Sequence, residues 1–198
     1  RYLKLKDVSK YKEISYAISE NKCINSPVVV GFGPAGMFAS LLLARAGAKP
    51  IVLERGKAVE DRQADINKFF ETGVLNTESN VQFGEGGAGT FSDGKLTTNT
   101  KDFRHSFILK TFVEFGAPEE ILYEAKAHIG TDYLIKVVKN IREEVIRLGG
   151  TVLFDSKMTE VISENGTLTG VKYISNGAEK EIKTNSLILA IGHSARDT

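Results

Sequence analysis

Residues 27–54 read PVVVGFGPAGMFASLLLARAGAKPIVLE and contain the clearest signals of secondary structure in the chain. The three valines, bounded by a proline and a glycine, are typical of a short buried strand, and Ile51 to Glu54 is a second such strand. Between them, residues 37–46 are rich in alanine and leucine and predict a helix that ends before Gly47. A strand, a tight turn, a helix and a second strand within roughly 30 residues predict a right-handed parallel crossover.

Three glycines of the turn, Gly31, Gly33 and Gly36, follow the pattern GxGxxG. The first allows the tight turn after the strand, the second lets the backbone approach a pyrophosphate, and the third lets the helix and the strand pack closely. Pro34 falls in the first helical turn, where no N–H partner is lost. The helix N-terminus would add free N–H groups and a partial positive charge for the phosphates. By itself the pattern is a weak signal, so its context matters.

Glu54 supplies that context. It lies at the end of the second strand, 54 − 36 = 18 residues beyond Gly36, close to the roughly 20-residue spacing at which a carboxylate accepts hydrogen bonds from an adenosine ribose. The two features together predict a dinucleotide site. In the alternative interpretation, the glycines only allow close helix packing and Glu54 is a solvated strand end. The carboxylate would repel a 2′-phosphate and so disfavours NADP, although the adjacent Arg55 leaves that choice open.

Helices follow the crossover along the chain. A charged helix is predicted from 58 to 70, an amphipathic helix from 103 to 115, and a longer helix from Thr131, as its N-cap, to Leu148. Residues 73–100 form a long, glycine-rich loop between the first two of these helices. Loops of that length are generally functional or disordered, and we expect a functional one.

Strands dominate the end of the chain. Residues 151–154 and 186–190 predict two further strands of the parallel sheet. Between them lie three short strands, 158–163, 168–175 and 178–183, separated by the hairpin signals Asn165-Gly166 and Asn176-Gly177. The predicted fold class is therefore α/β, a Rossmann-like FAD/NAD(P)-binding domain with a parallel sheet, helices and an antiparallel β-meander.

The composition narrows the function classes. With 26 basic and 25 acidic residues the net charge is +1, too small for nucleic acid to be the expected main partner. The longest apolar runs, such as 187–191, fall short of the roughly 20 residues of a membrane-spanning helix, so no membrane span is expected. The single Cys23 cannot form an internal disulfide and favours a reducing, cytoplasmic setting. His105 and His128 have no partners at ligand spacing, so no metal site is expected.

A second glycine-rich segment, residues 81–96, reads VQFGEGGAGTFSDGKL. Glycines this dense produce a backbone that can pass close to a ligand and point several N–H groups at one anion or carbonyl group. Thr90 and Ser92 add hydroxyl groups, and Lys95 adds a cation. A flexible surface loop is the alternative, but such loops usually contain fewer apolar residues.

Five segments together resemble a known family: GFGPAGMFASLLLARAG, VLERG, VQFGEGGAGTFSDGKL, HIGTDYL and LAIGHSARDT. The resemblance is to the uncharacterised bacterial FAD-dependent dehydrogenases, also called NAD(FAD)-utilising dehydrogenases, and it covers residues 27–198. The predicted meander is also similar to that of glutathione-reductase-type FAD domains, and on this resemblance FAD is favoured over NAD.

Members of that family are longer chains, with a further N-terminal domain, a substrate domain and a C-terminal segment that completes the flavin site. The resemblance therefore implies that residues 26–198 are a partial FAD-binding domain and that residues 1–25 are an upstream linker or tail. It also implies that the missing parts of the parent chain are partners of this piece, which alone would be inactive.

The resemblance implies roles for individual residues. The pyrophosphate would be held by Gly31, Gly33, Pro34, Ala35 and Gly36, and the ribose side by Glu54 and Arg55. The flavin side of the pocket would be lined by Gly87, Gly89, Thr90, Ser92, Gly94 and Lys95. Adenine would be contacted by the backbone of Met158, and the cofactor would be closed over by Ala190, Gly192 and His193.

Two residues are candidates for a direct part in the chemistry. Lys95 would stabilise an anionic reduced flavin, or it is a solvated lysine on a loop. His193 would donate a proton near the flavin, or it is an ordinary residue at the end of a strand. The expected function is a flavin-dependent oxidoreductase acting on an unknown small molecule, with NAD(P)H as a candidate electron donor or acceptor. An NAD-binding dehydrogenase domain and a non-catalytic flavin-binding or sensor module are the alternatives.

Overall fold

The computed structural model describes residues 16–20, 25–92, 94–96, 100, 102–124 and 128–196. The tail predicted at residues 1–25 lies largely outside these ranges, as do Cys23 and the last two residues of the chain. The described part contains seven strands and four α-helices. Their arrangement is the α/β fold that the sequence predicts, with one parallel and one antiparallel sheet.

The parallel sheet has four strands, namely β1 (Val28–Val30), β2 (Ile51–Leu53), β3 (Thr151–Leu153) and β7 (Leu187–Leu189). Their order in the sheet is β3-β2-β1-β7. In the register, Val29 of β1 lies opposite Val52 of β2 and Ile188 of β7. All four strands run in one direction, so their carboxyl ends meet at one edge of the sheet.

The helices connect these strands. They are α1 (Pro34–Arg45), α2 (Val59–Thr72), α3 (Arg104–Glu114) and α4 (Thr131–Arg147), with a short 3-10 helix, Ala88–Phe91, between α2 and α3. Gly47, which follows α1, has φ 86°, the left-handed conformation that glycine adopts most readily and that the sequence predicts beyond this helix.

The meander is a separate three-stranded antiparallel sheet, β4 (Ser156–Glu164), β5 (Thr167–Ser175) and β6 (Ala178–Lys183). Its two turns are the predicted Asn-Gly pairs, and all four turn residues have positive φ, between 50° and 78°. Two successive residues with positive φ are the requirement of a type I′ hairpin turn, which explains the Asn-Gly sequences.

The parallel sheet is covered on both faces. Val29 and Val52 belong to the core that includes Met37 and Leu41 of α1 and Ile141 of α4. Because side chains alternate along a strand, the neighbouring residues of β1 and β2 face the other way, and they pack against Val171 and Tyr173 of β5. The residues in this second cluster from β1 and β2 are Val28, Val30 and Leu53. The fold is thus helices, parallel sheet and meander in three layers.

One local prediction is wrong. Thr131 is the first residue of α4, and the N-cap is Gly130. The Thr131 hydroxyl donates a hydrogen bond to the carbonyl oxygen of Ser92, 3.1 Å away, instead of capping its own helix. A long-range contact to the loop has therefore replaced the local capping interaction.

The remaining boundaries differ from the predictions by a few residues. Helix α2, for example, is predicted at 58–70 and lies at Val59–Thr72. Within the described ranges, no helix combines the length and the apolarity that crossing a bilayer would require.

Candidate functional site

A cleft of about 840 Å³ opens at the edge where the carboxyl ends of the parallel strands meet. Three residues that directly follow these strands, Gly31, Glu54 and Ala190, lie in its wall. Backbone hydrogen bonds hold them in register: Gly31 N donates to Leu53 O at 2.8 Å, and Ala190 N donates to Val30 O at 2.8 Å. This edge is where parallel α/β sheets bind their ligands.

The first glycine-rich turn forms one wall. Gly31 has φ 93°, and a Cβ atom built on it would stand 2.5 Å from the carbonyl oxygen of Ala190. A Cβ atom on Gly36 would overlap the carbonyl oxygen of Gly31. These two glycines therefore allow the strand, the turn and α1 to approach one another closely.

The surroundings of Gly33 differ from those of Gly31 and Gly36. Gly33 is the N-cap of α1 and has no side chain with which to cap the helix. The first N–H groups of a helix have no intrahelical partners, and here they belong to the segment that lines the cleft, with Pro34 and Ala35. The wall thus offers backbone donors and the positive end of the helix dipole to an anion.

Glu54 lies beneath this turn and is only 4% exposed. Its carboxylate accepts a hydrogen bond from Phe32 N at 2.7 Å through Oε2 and one from Gly56 N at 2.9 Å through Oε1. Glu54 is therefore not a solvated strand end. Each carboxylate oxygen can accept a further hydrogen bond, so the group can order the turn and still receive a hydroxyl group from a ligand in the cleft.

The second glycine-rich segment forms the facing wall, with Gln82, Phe83, Gly84, Gly87 and Ala88. The two glycine-rich segments touch: Gly86 N donates to Phe32 O at 2.8 Å, and a Cβ atom on Gly87 would come within 3.3 Å of Gly33 Cα. Gly87 has φ 69° and precedes the 3-10 helix. The loop is therefore packed against the first turn and is not a detached surface loop.

Arg55 joins two sides of the cleft. Its guanidinium donates to Glu78 Oε2 at 2.6 Å and to Ser194 Oγ at 3.1 Å, and it lies 4.5 Å from the centre of the Phe83 ring. Burial raises the pKa of Glu78, but the hydrogen bond and the positive charge of Arg55 outweigh this effect and hold the pKa below its usual value. Lys157 lies 3.4 Å from the same carboxylate. The rim is thus positively charged and partly neutralised by Glu78.

Behind the second loop lies a buried arginine, Arg62 of α2, with no exposed surface. It donates three hydrogen bonds to backbone carbonyl groups of the loop: Nε to Asn80 O at 2.8 Å, one terminal nitrogen to Glu85 O at 2.6 Å and the other to Val81 O at 2.8 Å. Burial lowers the pKa of Arg62 to about 10, although Glu54 and Glu85 raise it, so the group stays charged at neutral pH.

Glu85, also fully buried, attaches the loop to two helices. Its Oε2 accepts from Val59 N at 2.7 Å and from Arg142 at 2.8 Å, and Arg142 also binds Glu60 at 2.7 Å. Its Oε1 is buried without a hydrogen-bond partner among the described residues. Burial raises the pKa of Glu85 to about 7, whereas hydrogen bonding to Arg142 lowers the pKa of Glu60 to about 2.

The structure brings together most of the predicted cofactor-binding residues. Those that line the cleft are Gly31, Gly33, Pro34, Ala35, Glu54, Arg55, Gly87, Met158, Ala190, Gly192 and His193. Gly36 lies behind the turn, where it enables close packing. Of the six residues predicted on the flavin side, only Gly87 is in the cleft wall; outside it lie Gly89, Thr90, Ser92, Gly94 and Lys95. No ligand contact tests these assignments, so they stay predictions.

Some of these five residues also have contacts within the fold. A Cβ atom on Gly94 would overlap the carbonyl oxygen of Ile129, and the Thr90 side chain is buried. Lys95 pairs with His128 in an isolated antiparallel bridge. His193, in contrast, lies exposed at the cleft, in the 3-10 helix Gly192–Arg196.

The wall also contains residues that the sequence does not single out individually: Gln82, Phe83, Gly84 and Ala88 of the predicted segment 81–96, and Ser156, Lys157, Ser194 and Ala195 outside it. The meander supplies two of these residues because β4 begins at Ser156, before the predicted start at 158. Among the described residues, no group of three or more His, Cys, Asp or Glu side chains is placed to hold a metal ion.

No known family model matches the chain. It is similar to an uncharacterized protein of Clostridium beijerinckii, with 56% identity over 196 residues that make up 98% of this chain and 36% of that protein. The chain thus spans about a third of the length of this curated relative.

Solved structures share the fold at low sequence identity. THI4 of Thermovibrio ammonificans is 16% identical, covers 86% of this chain and 58% of its own, and superposes with a TM-score of 0.55. A 3-ketosteroid-Δ4-(5α)-dehydrogenase of Rhodococcus jostii is 17% identical over 86% of this chain and 47% of its own, with a TM-score of 0.52. The flavin-dependent brominase Bmp2 is 15% identical over 87% of this chain and 41% of its own, with a TM-score of 0.51. The chain therefore shares a Rossmann-like α/β fold with these proteins.

Proposed function

We propose that this chain is the FAD-binding portion of a flavin-dependent oxidoreductase and that the cleft holds the ADP half of the cofactor. One observation carries the proposal: Gly33, the uncapped start of α1 and the buried Glu54 converge on a single cleft at the carboxyl edge of a parallel sheet. A volume of about 840 Å³ lies within the range of cofactor pockets, roughly 300–1,000 Å³.

The residues present fit a dinucleotide. The backbone at Gly33 is open to the cleft, since a Cβ atom there would contact only Gly87 Cα, at 3.8 Å. A pyrophosphate would accept hydrogen bonds from the first N–H groups of α1, where the helix dipole is positive. The remaining acceptor capacity of Glu54 suits the hydroxyl groups of a ribose, and its charge disfavours a 2′-phosphate.

FAD is proposed over NAD on two grounds. The meander interrupts the series of strand–helix units after β3 and packs against the sheet, as the resemblance to glutathione-reductase-type FAD domains predicts. The brominase that shares the fold is described as flavin-dependent. When bound, FAD supplies hydride or electron transfer at its isoalloxazine ring.

The finer assignment is to the NAD(FAD)-utilising dehydrogenases, with NAD(P)H as electron donor or acceptor and a small molecule as substrate. This chain's part in such a reaction is to bind and orient the cofactor. We propose that other parts of the parent protein complete the flavin side and bind the substrate, since this chain corresponds to 36% of its relative.

Binding titrations of the complete protein test the proposal. Calorimetry with FAD, ADP and NAD should give tight binding of FAD, weaker competing binding of ADP, and no displacement of FAD by NAD. Binding of NAD without binding of FAD would instead establish the alternative, an NAD-binding dehydrogenase domain. A tightly bound FAD that neither NADH nor NADPH reduces would favour the non-catalytic flavin-binding module.

A further inference from the structure

We propose that Arg62 is a positioning residue for the cofactor: it does not touch the cleft, but it fixes the second glycine-rich loop in the conformation that forms the cleft wall. The inference rests on the proposed function, because it assigns to that binding site a residue outside it. Arg62 lies on α2, in the segment that the sequence predicts only as a charged helix.

Arg62 binds several backbone carbonyl groups of the second glycine-rich loop. Its guanidinium satisfies three backbone carbonyl groups, those of Asn80, Val81 and Glu85, at 2.6–2.8 Å. These residues bracket Gln82, Phe83 and Gly84, three of the five loop residues that line the cleft. This part of the wall is therefore attached at both of its ends to one side chain.

Arg62 also packs closely against the cleft wall. A Cβ atom on Gly84 would lie 2.6 Å from Arg62 Cδ, so the aliphatic part of the side chain packs directly behind this glycine. The guanidinium also lies 4.8 Å from the centre of the Phe91 ring in the 3-10 helix that follows Gly87. Arg62 thus supports the loop from Asn80 to the 3-10 helix.

The three hydrogen bonds to the loop require an arginine. Three carbonyl groups in different directions match the planar fork of a guanidinium, whereas a lysine ammonium is a compact point charge on a different stem. A lysine here would leave at least one carbonyl group buried without a partner, which favours a shifted loop. The distances across the cleft would change although no cleft-lining residue had been replaced.

The test uses the variants R62K and R62Q in the complete protein, with R45K as the matched control. Arg45 also pairs with a carboxylate, that of Glu114, and lies over an aromatic ring, that of Phe115, but it is at the end of α1 opposite the glycine-rich turn. We expect the dissociation constant for FAD to rise about tenfold in R62K and further in R62Q, and to stay unchanged in R45K.

Hydrogen exchange without added cofactor distinguishes a local effect on the loop from a loss of stability of the whole domain. In R62K, amides of residues 81–88 should exchange faster while those of β1 keep their protection. Wild-type affinity and wild-type loop protection in R62K would overturn the inference, and so would failure of both Arg62 variants to fold, since Arg62 would then support the whole domain. If the wild-type protein binds no FAD, the proposed function fails, and the exchange experiment still tests the hold of Arg62 on the loop.

Discussion

The backbones of Gly33 and Gly87 lie against each other, so that a Cβ atom built on Gly87 would come within 3.3 Å of Gly33 Cα. The two residues belong to the two glycine-rich segments and are 54 positions apart in the sequence. Their contact brings the start of α1 and the start of the 3-10 helix Ala88–Phe91 to one cleft. Substitutions at individual glycines can therefore distinguish an effect on the stability of the fold from an effect on cofactor binding.

Gly33→Ala should weaken cofactor binding and leave the fold intact. Gly33 has φ −73°, a conformation open to any residue, and the added methyl group would meet only Gly87 Cα, at 3.8 Å. The methyl group would stand at the place where we propose the pyrophosphate. We expect the dissociation constant for FAD to rise by about tenfold or more, measured by flavin fluorescence, and the free energy of unfolding to change by less than about 1 kcal/mol.

Gly47→Ala is the control for this substitution. Gly47 has φ 86°, and a Cβ atom there would have no neighbour within 4 Å. The variant should lose about 1 kcal/mol of stability through backbone strain and bind FAD as the wild type does. An unchanged affinity in Gly33→Ala would contradict the proposed position of the pyrophosphate.

Gly36→Ala should damage the fold itself. Its methyl group would overlap the carbonyl oxygen of Gly31 and lie 3.3 Å from the Cβ atom of Ala190. We expect the free energy of unfolding, measured by urea denaturation, to fall by about 1–3 kcal/mol because the strand and α1 must move apart. Gly33→Ala, three residues earlier in the same turn, is the comparison, and equal stability of the two variants would contradict this account of the packing.

Glu54→Gln should destabilise the turn. Each carboxylate oxygen of Glu54 accepts a backbone hydrogen bond, from Phe32 N or from Gly56 N. A glutamine amide nitrogen would face one of these donors and leave it buried without an acceptor, at a cost of about 1–3 kcal/mol in the free energy of unfolding. Glu78→Gln, which alters a half-exposed carboxylate bound to side chains, should lose about 1 kcal/mol or less. Equal losses in the two variants would argue against a structural role for Glu54.

Glu85 should make stability depend on pH near neutrality. Its pKa in the folded protein, about 7, lies above the ordinary value of 4.5. A raised carboxyl pKa means that the folded state binds the proton more tightly, so the stabilising contribution is complete below about pH 4.5 and is lost as the pH rises through 7. We expect Glu85→Gln to remove a decrease of up to about 3 kcal/mol between pH 5 and pH 8, measured by chemical denaturation.

Glu60→Gln is the matched control, because Glu60 binds the same Arg142. The pKa of Glu60 is lowered to about 2, so its contribution is present above about pH 4.5 and is lost only as the pH falls through 2. Between pH 5 and pH 8 this variant should therefore keep a pH dependence, but a weaker one than the wild type, because the charge of Glu60 also raises the pKa of Glu85. A Glu85→Gln variant with the same pH dependence as the wild type would refute the assignment.

Much of the fold follows from local sequence signals. The GxGxxG turn, the apolar triplets of β1 and β2, and the two Asn-Gly pairs are read within a few residues of where they act, and the structure has them as predicted. The spacing of Glu54 from Gly36 also predicts that the carboxylate lies at the carboxyl edge of the sheet. Such features depend on backbone conformation and periodicity, which a short stretch of sequence determines.

The residues that the sequence did not reveal act over long distances. Arg62 stands among charged residues on a predicted charged helix, and its acceptors are 18 to 23 positions away, so its burial has no local signal. Thr131 has the side chain of a good N-cap but hydrogen-bonds to Ser92, 39 positions earlier. The backbone bridge between Lys95 and His128 also has no local signal, and the place of Lys95 beside the flavin stays a prediction. Tertiary contacts decide these positions.

The binding of FAD by this protein is tested by the visible absorption spectrum of the complete purified protein, recorded before and after anaerobic addition of dithionite. We expect the two absorption bands of an oxidised flavin, their loss on reduction, and release of FAD when the protein is denatured. A colourless protein that takes up no FAD on titration would contradict the claim that this cleft is a flavin site.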